Sequence, residues 1–237
     1  MKNYFITATD TDAGKTFVAC ALSKALMNKG KKVVTYKPIA AGCRMINGVL
    51  TNEDAELLTY FANCGQSITD VNPIALEEAI APHIAAARLQ RKISIEEIVQ
   101  GYTRILAKGS QVNLTEGAGG WRLPLDTDED RPTFLSDFAI KTKQEVILVV
   151  NMKLGCLNHA LLTYQSIISD GLKCIAWVAN TASDSVMSNY DENIASLEQL
   201  IKAPKIAQLS FNNDQSKTLH EKICEAATKI DLSLLSN

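Results

Sequence analysis

A short segment near the N-terminus has the residue types of a phosphate-binding loop. FITATDTDAGKTFVACAL, residues 5–22, starts as an apolar strand, passes through a polar turn and continues as a helix. The turn closes on Gly14, Lys15 and Thr16, and it matches the pattern G-x-x-x-x-G-K-[ST] except at its first position, where Ala8 stands. In such a turn backbone N–H groups surround phosphate oxygens, the lysine reaches the β- and γ-phosphates, and the hydroxyl ligates Mg²⁺. The segment therefore predicts a nucleoside triphosphate site.

The alanine at the first position of this loop leads to a prediction about the backbone. A left-handed conformation costs an alanine about 1–2 kcal/mol, whereas a glycine adopts it freely. Ala8 stands at the end of the predicted strand, where ordinary extended dihedral angles are sufficient. We therefore predict that Ala8 has a negative φ in the β region.

Two acidic residues follow other predicted strands and can join the same site. Glu116 ends the apolar run VNLTE, and Asp54 lies within TNEDAE after the second strand. Because Mg²⁺ prefers oxygen ligands, both carboxylates are candidate metal ligands. Asp54 has a second explanation, as an acid in the first turn of a helix, where the helix dipole favours a negative charge.

A second lysine also has two interpretations. Lys37 lies in TYKPIAAG at the end of the second predicted strand, where it is either an ordinary surface lysine or a second cation beside Lys15. Two lysines around a transferring phosphate stabilise the charge of an anionic acceptor or intermediate. Residue chemistry alone indicates an enzyme that uses ATP and Mg²⁺ and acts on an anionic group, and it leaves the substrate open.

The elements that must position these residues alternate between strand and helix. Short apolar runs predict strands at 4–8, 31–39, 111–116, 145–151, 174–180 and 206–209. Helical patterns follow the phosphate loop as far as about residue 28 and recur at 52–62, 94–108, 159–171, 187–202 and 214–230. We predict that Asn52 caps one of these helices and that Ser94 and Glu97 form a capping box at another.

This alternation predicts an α/β fold. The expected architecture is doubly wound, with a mostly parallel sheet flanked by helices, of the P-loop NTPase type. In such sheets ligands bind at the carboxyl ends of the strands, where the phosphate loop and Glu116 both lie. We predict that residues 1–237 form a single domain and that the polar, acidic segment 121–132 is a mobile surface loop.

Composition limits the classes of partner. The chain has 237 residues, 46% of them hydrophobic, and a net charge of −2, so it offers no basic surface for a nucleic acid. No apolar run is long enough to span a bilayer, which disfavours a membrane partner. The six cysteines form no C-x-x-C pair, as expected of free thiols in a reducing cytoplasm. We therefore expect a cytoplasmic protein.

Several further segments resemble one known family. In chain order they are TDTDAGKT (9–16), YKPIAAG (36–42), NEDA (52–55), VNP (71–73), APH (81–83), EGAGGW (116–121), VILVVNMKLGCLNHALLT (146–163) and GLKCIAWVAN (171–180). Together they resemble dethiobiotin synthetase over most of the chain, from Phe5 to about Ala203. EGAGGW and KLGCLNHALLT are the most specific of them, because generic phosphate loops do not require either.

The resemblance implies an activity. Such enzymes form the ureido ring of dethiobiotin from 7,8-diaminononanoate, CO₂ and ATP. The diamine becomes a carbamate, ATP phosphorylates the carbamate to a carbamic–phosphoric anhydride, and the second amine closes the ring and expels phosphate. The family acts as a homodimer, with the substrate site at the subunit interface.

The resemblance also implies roles for individual residues. It assigns catalysis to Lys37, Lys15 and Thr11, and the metal to Thr16, Asp54 and Glu116. It places around the nucleotide Asp12, Ala13, Gly14, Lys15, Thr16, Phe17, Asp54, Glu116, Gly117, Ala118, Gly119, Asn180, Thr181, Leu209, Ser210 and Phe211. It places around the substrate Thr11, Asp12, Lys37, Ala41, Lys153, Leu154, Gly155, Cys156 and Asn158. Within these sets Asn180 reads the adenine, and the stretch 153–158 binds the substrate carboxylate from the second subunit.

Four positions depart from the family pattern and keep other functions open. Ala8 replaces a glycine, Asp12 a longer glutamate and Ala41 a serine, while Ser210 lies in QLSF, which replaces a G-x-I-P-like segment. One alternative is a nucleotide-binding regulatory paralogue that has lost the synthetase activity. Another is a different ATP-dependent ligase on the same fold. The retained lysines and carboxylates favour the active synthetase.

Overall fold

The computed structural model describes residues 1–127, 132–184 and 187–235. Its strands, in chain order, are β1 (Lys2–Ala8), β2 (Val33–Tyr36), β3 (Ile39–Ala40), β4 (Arg44–Ile46), β5 (Val49–Thr51), β6 (Ile74–Ala75), β7 (Val112–Glu116), β8 (Pro124–Asp126), β9 (Thr133–Phe134), β10 (Glu145–Asn151), β11 (Cys174–Asn180) and β12 (Lys205–Leu209). Its helices are α1 (Lys15–Asn28), α2 (Glu53–Tyr60), α3 (Ile68–Val71), α4 (Pro82–Arg88), α5 (Ile95–Leu106), α6 (Leu135–Lys141), α7 (Cys156–Ser169), α8 (Tyr190–Leu200) and α9 (Leu219–Ala227). None of these helices is long and apolar enough to cross a membrane.

Six parallel strands form the central sheet, in the order β12-β11-β10-β1-β7-β2. Strand β1 lies near the middle, and the chain adds strands on both sides of it, so the predicted doubly wound α/β architecture is confirmed. The register places Ile6 of β1 opposite Glu116 of β7, and Asn180 of β11 opposite Leu209 of β12. The carboxyl ends of these strands therefore meet at one edge of the sheet, where the predicted ligand residues lie.

Different helices cover the two faces of the sheet. Successive residues of a strand point to opposite faces, and β1 shows this alternation. Tyr4 and Ile6 pack into a core with α1, α2 and α9, whereas Phe5 packs into a second core with α5 and α6. A third core joins β10 and β11 to α7 and α8. Burial on both faces explains why these strands read as continuous apolar runs in the sequence.

The predicted backbone of Ala8 is confirmed. Ala8 is the last residue of β1, pairs with Val149 of β10 and has a negative φ. The positive φ angles of the loop fall instead on Asp12 and Gly14, at 58° and 80°. Asparagine and aspartate tolerate the left-handed region better than other residues with a Cβ, which fits the residue at position 12.

The helix caps agree with the sequence in part. Asn52 caps α2 and accepts a hydrogen bond from the Ala55 N–H at 3.0 Å, as predicted. Ser94 caps α5 through the Glu97 N–H, but the predicted capping box is wrong because the Glu97 side chain does not return to Ser94. It accepts a hydrogen bond from Arg91 at 2.7 Å instead, since an opposite charge competes well for a carboxylate.

Several boundaries and short elements differ from the prediction. Helix α7 begins three residues earlier than the predicted residue 159, and α9 is shorter than the predicted 214–230. The sequence analysis missed the short helices α3, α4 and α6 and the antiparallel hairpin of β4 and β5. The hairpin turns at Asn47 and Gly48, whose φ angles are 50° and 80°. Asn-Gly between two short strands is the signal that indicates such a turn.

The predicted surface loop at 121–132 is wrong for its first half. Trp121 and Leu125 are buried, at 4% and 2% exposure, and β8 lies within the segment. Trp121 packs edge-on against Phe5 of the central strand. Residues 128–131 of this prediction lie outside the described residues. The segment after the Gly-rich turn therefore begins as part of the core.

We expect Asp170→Ala to lower the free energy of unfolding by about 1–3 kcal/mol, the usual effect of leaving a buried donor without its acceptor. The Asp170 carboxylate accepts hydrogen bonds from Trp121 Nε1 at 2.7 Å and from Arg122 Nη2 at 2.6 Å. Urea denaturation followed by circular dichroism measures the change. Glu96→Ala, which breaks an exposed ion pair with Lys141 and removes an acid from the first turn of α5, is the control and should lower the free energy of unfolding by less than about 1 kcal/mol. An unaltered midpoint for Asp170→Ala would contradict the expected role of this contact.

Candidate active site

The phosphate loop connects β1 to α1 and is fixed by contacts from neighbouring strands. Thr9 N–H donates to the Val149 carbonyl at 3.0 Å, and Asn180 Nδ2 donates to the Ala13 carbonyl at 2.8 Å. Gly14 is the left-handed N-cap of α1, and a Cβ added there would lie 2.3 Å from Asn180 Nδ2. The loop and the end of β11 are therefore packed so closely that only glycine fits at position 14.

A buried cluster of charged side chains lies beside this loop. Lys37 Nζ is 2.6 Å from Glu116 Oε1 and 3.0 Å from Asp54 Oδ2. The Thr16 hydroxyl donates to the same Glu116 oxygen at 2.8 Å. Lys37 and Glu116 are 4% and 1% exposed, whereas the Asp54 side chain keeps 41% of its surface. The structure therefore brings together the second lysine and the three residues assigned to the metal by the family resemblance.

Each member of the cluster is held by its own element. Lys37 follows β2, and its backbone is fixed by the Val71 carbonyl at 2.8 Å and by Asn72 Nδ2 at 2.7 Å. Glu116 ends β7, next to β1 in the sheet. Asp54 lies in the first turn of α2, as one sequence interpretation predicted, and its role as a metal ligand stays a prediction. The surface-lysine interpretation of Lys37 is wrong, because the side chain is buried.

Burial and opposite charges set the protonation of the cluster. Burial alone would lower the pKa of Lys37, but the negative charges of Glu116 and Asp54 outweigh it and raise the pKa above its ordinary value. Burial likewise opposes ionisation of Asp54, yet attraction to Lys37 leaves the pKa of Asp54 lowered. At Glu116 burial is the stronger influence and raises the pKa of the carboxyl, while Lys37 only partly offsets it. Lys37 is therefore a charged ammonium at neutral pH.

The first lysine of the loop has a different environment. Lys15 is 8% exposed, and its Nζ lies 3.4 Å from the Asp10 carbonyl oxygen. Burial lowers the pKa of Lys15; Glu116 opposes this and Lys37 adds to it. The positive charge of Lys15 is thus held in a partly desolvated place, where an anion that enters the site would stabilise it.

A cavity of about 610 Å³ contains the cluster and the loop. The residues on its wall that the sequence analysis had assigned to nucleotide, substrate or metal are Thr11, Asp12, Gly14, Lys15, Thr16, Phe17, Lys37, Ala41, Asp54, Glu116, Ala118, Gly119, Asn180, Thr181, Ser210 and Phe211. Ala13 and Leu209 are buried and do not line the cavity. Gly117 does not line it either, and a Cβ added there would be 3.0 Å from the Phe5 ring.

The stretch 153–158 does not reach this cavity within one chain. It forms the start of α7, with Gly155 as a left-handed N-cap. Leu154 is 92% exposed, while Cys156 is buried. Lys153 forms an ion pair with Asp10 of the phosphate loop, and hydrogen bonding from Lys153 lowers the pKa of Asp10. The predicted substrate role of this stretch, which requires a second subunit, stays a prediction.

The sequence of this chain matches a family model and is similar to named proteins. A family model described as an AAA domain matches residues 2–218. The chain is 46% identical over 217 residues to the ATP-dependent dethiobiotin synthetase BioD of Alteromonas mediterranea, covering 89% of this chain and 93% of that protein. It is also 46% identical over 222 residues to the protein of the same name from Cellvibrio japonicus, covering 92% and 95%. The chain belongs to the dethiobiotin synthetase family.

A solved structure outside this family has a similar fold. The structure matches a chain of the MinC:MinD cell division protein complex of Aquifex aeolicus with a TM-score of 0.58 and 17% identity. The match covers 100% of this chain and 97% of the other. At this identity the likeness is evidence for the fold alone, and with the loop motif it confirms the predicted P-loop NTPase type.

The cavity of this dethiobiotin synthetase family member also contains residues that the sequence analysis missed. They are Ile39, Ala40, Asn52, Ala182, Asn212, Leu219 and Lys222. Leu219 and Lys222 lie three residues apart on α9, and this spacing puts them on one face of the helix. No local motif marks them, because α9 follows the sheet and reaches the cavity only through packing against α1.

The oxygen donors at the site fit Mg²⁺. The described residues contain no group of three or more His, Cys, Asp or Glu side chains placed to hold a metal. Mg²⁺ beside a nucleotide needs fewer, since it uses one or two carboxylates with phosphates and water. Asp54, Glu116 and the Thr16 hydroxyl supply such a set. Within the described parts of the chain Glu116 Oε2 is buried without a hydrogen-bond partner, which leaves the carboxylate with unused acceptor capacity.

Proposed function

We propose that this protein forms the ureido ring of dethiobiotin from 7,8-diaminononanoate and CO₂, with ATP converted to ADP and phosphate. The observation that carries the proposal is the buried Lys37–Glu116 pair beside the phosphate loop, 2.6 Å apart and facing one cavity. The 46% identity to named dethiobiotin synthetases over about nine-tenths of the chain supports the substrate assignment.

The reaction divides into three steps. One amine of the diamine attacks CO₂, forming an N–C bond and losing a proton to give a carbamate. A carbamate oxygen then attacks the γ-phosphorus of ATP, and the bond to ADP breaks. The second amine attacks the carbonyl carbon of this mixed anhydride, the bond to phosphate breaks, and the amine proton leaves with solvent.

The cavity residues stabilise charge during these steps. Lys15, in the loop, would contact the terminal phosphates, and the ammonium of Lys37 would contact the carbamate and the transferring phosphoryl group. The backbone N–H groups of residues 12–17 would surround the phosphates, at the positive end of α1. Thr16, Asp54 and Glu116 would hold Mg²⁺, which neutralises phosphate charge when bound.

The remaining assignments concern the ends of the two substrates. Thr11 and Asp12, exposed on the loop, would contact the diamine, and Ala41 lies on the wall beside it. Asn180 and Thr181 would contact the adenine, with Ser210 and Phe211 next to them. Asn180 Nδ2 already donates to the Ala13 carbonyl. The contact between Asn180 and the adenine must therefore use either the same amide nitrogen or the side-chain carbonyl oxygen of Asn180.

Assembly and location are part of the same proposal. In a homodimer, the exposed start of α7 would bind the carboxylate of the substrate held in the other subunit. Backbone N–H groups at a helix N-terminus suit a carboxylate. One sheet whose strands span residues 2–209 supports a single domain. We place the protein in the cytoplasm.

Incubation of the purified protein with the diamine, bicarbonate and MgATP is expected to give dethiobiotin and phosphate in equal amounts. EDTA should abolish product formation, and Asp54→Asn should raise the Mg²⁺ concentration needed for half-maximal activity, because one of the two carboxylate charges is lost. Mass spectrometry measures the product, and a phosphate assay measures turnover. ATP binding without diamine-dependent phosphate release would instead indicate the regulatory paralogue. Phosphate release with another diamine or amino acid only would indicate a different ligase.

A further inference from the structure

The ammonium of Lys37 lies where a divalent cation would be expected. It is 2.6 Å from Glu116 Oε1 and 3.0 Å from Asp54 Oδ2, the two carboxylates that the proposed function assigns to Mg²⁺. Three residues from distant parts of the chain thus form one ion-pair cluster. The inference below rests on that metal assignment, which belongs to the proposed function.

One oxygen of Glu116 carries both of the hydrogen bonds that the carboxylate accepts from the described residues. Oε1 accepts from both Lys37 and Thr16, the latter at 2.8 Å. Oε2 is buried and has no partner among these residues. A cation that binds at Oε1 therefore competes with two donors.

A divalent ion and the lysine compete for the same carboxylates. Mg²⁺ prefers oxygen ligands and would draw on Glu116 Oε1 and Asp54 Oδ2, the oxygens that now contact Lys37. Two cations that share a carboxylate in a buried place also repel each other strongly, since the charges are little screened there. Lys15 adds a further positive charge to the same cavity.

We propose that Lys37 is the cation of the metal site in the metal-free protein and that the divalent ion displaces it. Metal loading and release of the Lys37 ammonium into the cavity are then one event. The lysine that would stabilise the substrate's anionic group becomes available only when the metal has taken over Asp54 and Glu116. Without a nucleotide the metal binds weakly, because the metal must displace the Lys37 ammonium from its carboxylates. No phosphate is then present to pair with the displaced ammonium.

Mn²⁺ titration of the nucleotide-free protein tests this, with free Mn²⁺ followed by electron paramagnetic resonance. Lys37→Met, which keeps the length of the side chain and removes the charge, is expected to bind Mn²⁺ about ten-fold or more tightly than the wild type. Lys37→Gln should behave in the same way and replaces Lys37→Met if that variant does not fold. Lys141→Met is the matched control, because its 2.6 Å pair with Glu96 is exposed and lies outside the cavity. Its Mn²⁺ affinity should equal that of the wild type.

Two outcomes would overturn the proposal. One is a folded Lys37→Met or Lys37→Gln protein that binds Mn²⁺ no more tightly than the wild type. The other comes from wild-type crystals with Mn²⁺ at Asp54 and Glu116, if Lys37 Nζ still lies within hydrogen-bonding distance of both carboxylates. Neither measurement depends on the diamine, so failure of the synthetase assay is distinguished from failure of this inference.

Discussion

Lys37→Ala is expected to lower the turnover of dethiobiotin formation by about 10²–10³-fold, the usual effect of removing one pre-positioned charge from a transition state. Lys37 is 4% exposed and lines the cavity that contains the phosphate loop. The substitution removes positive charge where the carbamate and the transferring phosphoryl group would gather negative charge. Binding of an ATP analogue should persist, because Lys15 and the loop backbone remain. Steady-state phosphate release and calorimetric binding of the analogue measure the two effects separately.

The same substitution also removes the partner of a buried carboxylate. Breaking such a pair typically costs about 3–5 kcal/mol of stability, because the remaining charge is left without compensation. Activity must therefore be compared at a temperature where circular dichroism shows the variant to be folded. Lys141→Ala, which removes a lysine from an exposed pair, should keep full turnover. Near-full activity of folded Lys37→Ala would show that the role assigned to Lys37 is wrong.

Gly14→Ala is expected to weaken ATP binding by about 100-fold or more, which corresponds to about 2.7 kcal/mol. Two costs combine at this position. The φ of 80° strains any residue with a Cβ by about 1–2 kcal/mol. The added Cβ would also lie 2.3 Å from Asn180 Nδ2, and Asn180 cannot move without losing its hydrogen bond to Ala13. The loop must therefore shift away from the geometry that receives the phosphates.

Gly30→Ala is the matched control for this substitution. Its φ is 74°, close to that of Gly14, but no atom of the residues that the structure describes lies within 4 Å of the added Cβ. It should lower stability by a similar backbone penalty and leave ATP affinity unchanged. Calorimetric titration of both variants with MgATP separates the strain from the steric contact. Equal affinities for Gly14→Ala and the wild type would contradict the assignment of the loop as the phosphate site.

Local elements were predictable where the residues that define them are contiguous. The apolar run of β1, the turn and Gly14-Lys15-Thr16 follow each other directly, so their order alone indicated strand, loop and helix. Asn52 and α2 were predictable for the same reason, because a cap acts on residues only three positions away. The negative φ of Ala8 followed from its place at the strand end.

Other features had weak or misleading local signals. The hairpin at residues 44–51 was missed although Asn47-Gly48 marks its turn, because its strands are only three residues long. The capping box at Ser94 was predicted from a spacing that is satisfied, but Arg91 took the Glu97 carboxylate. Arg91 lies in the loop before α5, and the spacing of Ser94 and Glu97 does not show that this side chain competes for the carboxylate.

The sequence by itself determined which chemical groups this protein has and which family it belongs to. Gly14, Lys15 and Thr16 form a phosphate-loop motif within a single turn, and the ordered motifs identify the family. Only the tertiary structure decided that Lys37 meets Glu116, 79 positions away, and that Thr16 meets the same carboxylate, 100 positions away. These contacts depend on the sheet order β1-β7-β2, which sets the carboxyl ends of the strands side by side. That order results from packing across the whole core, and no local pattern encodes it.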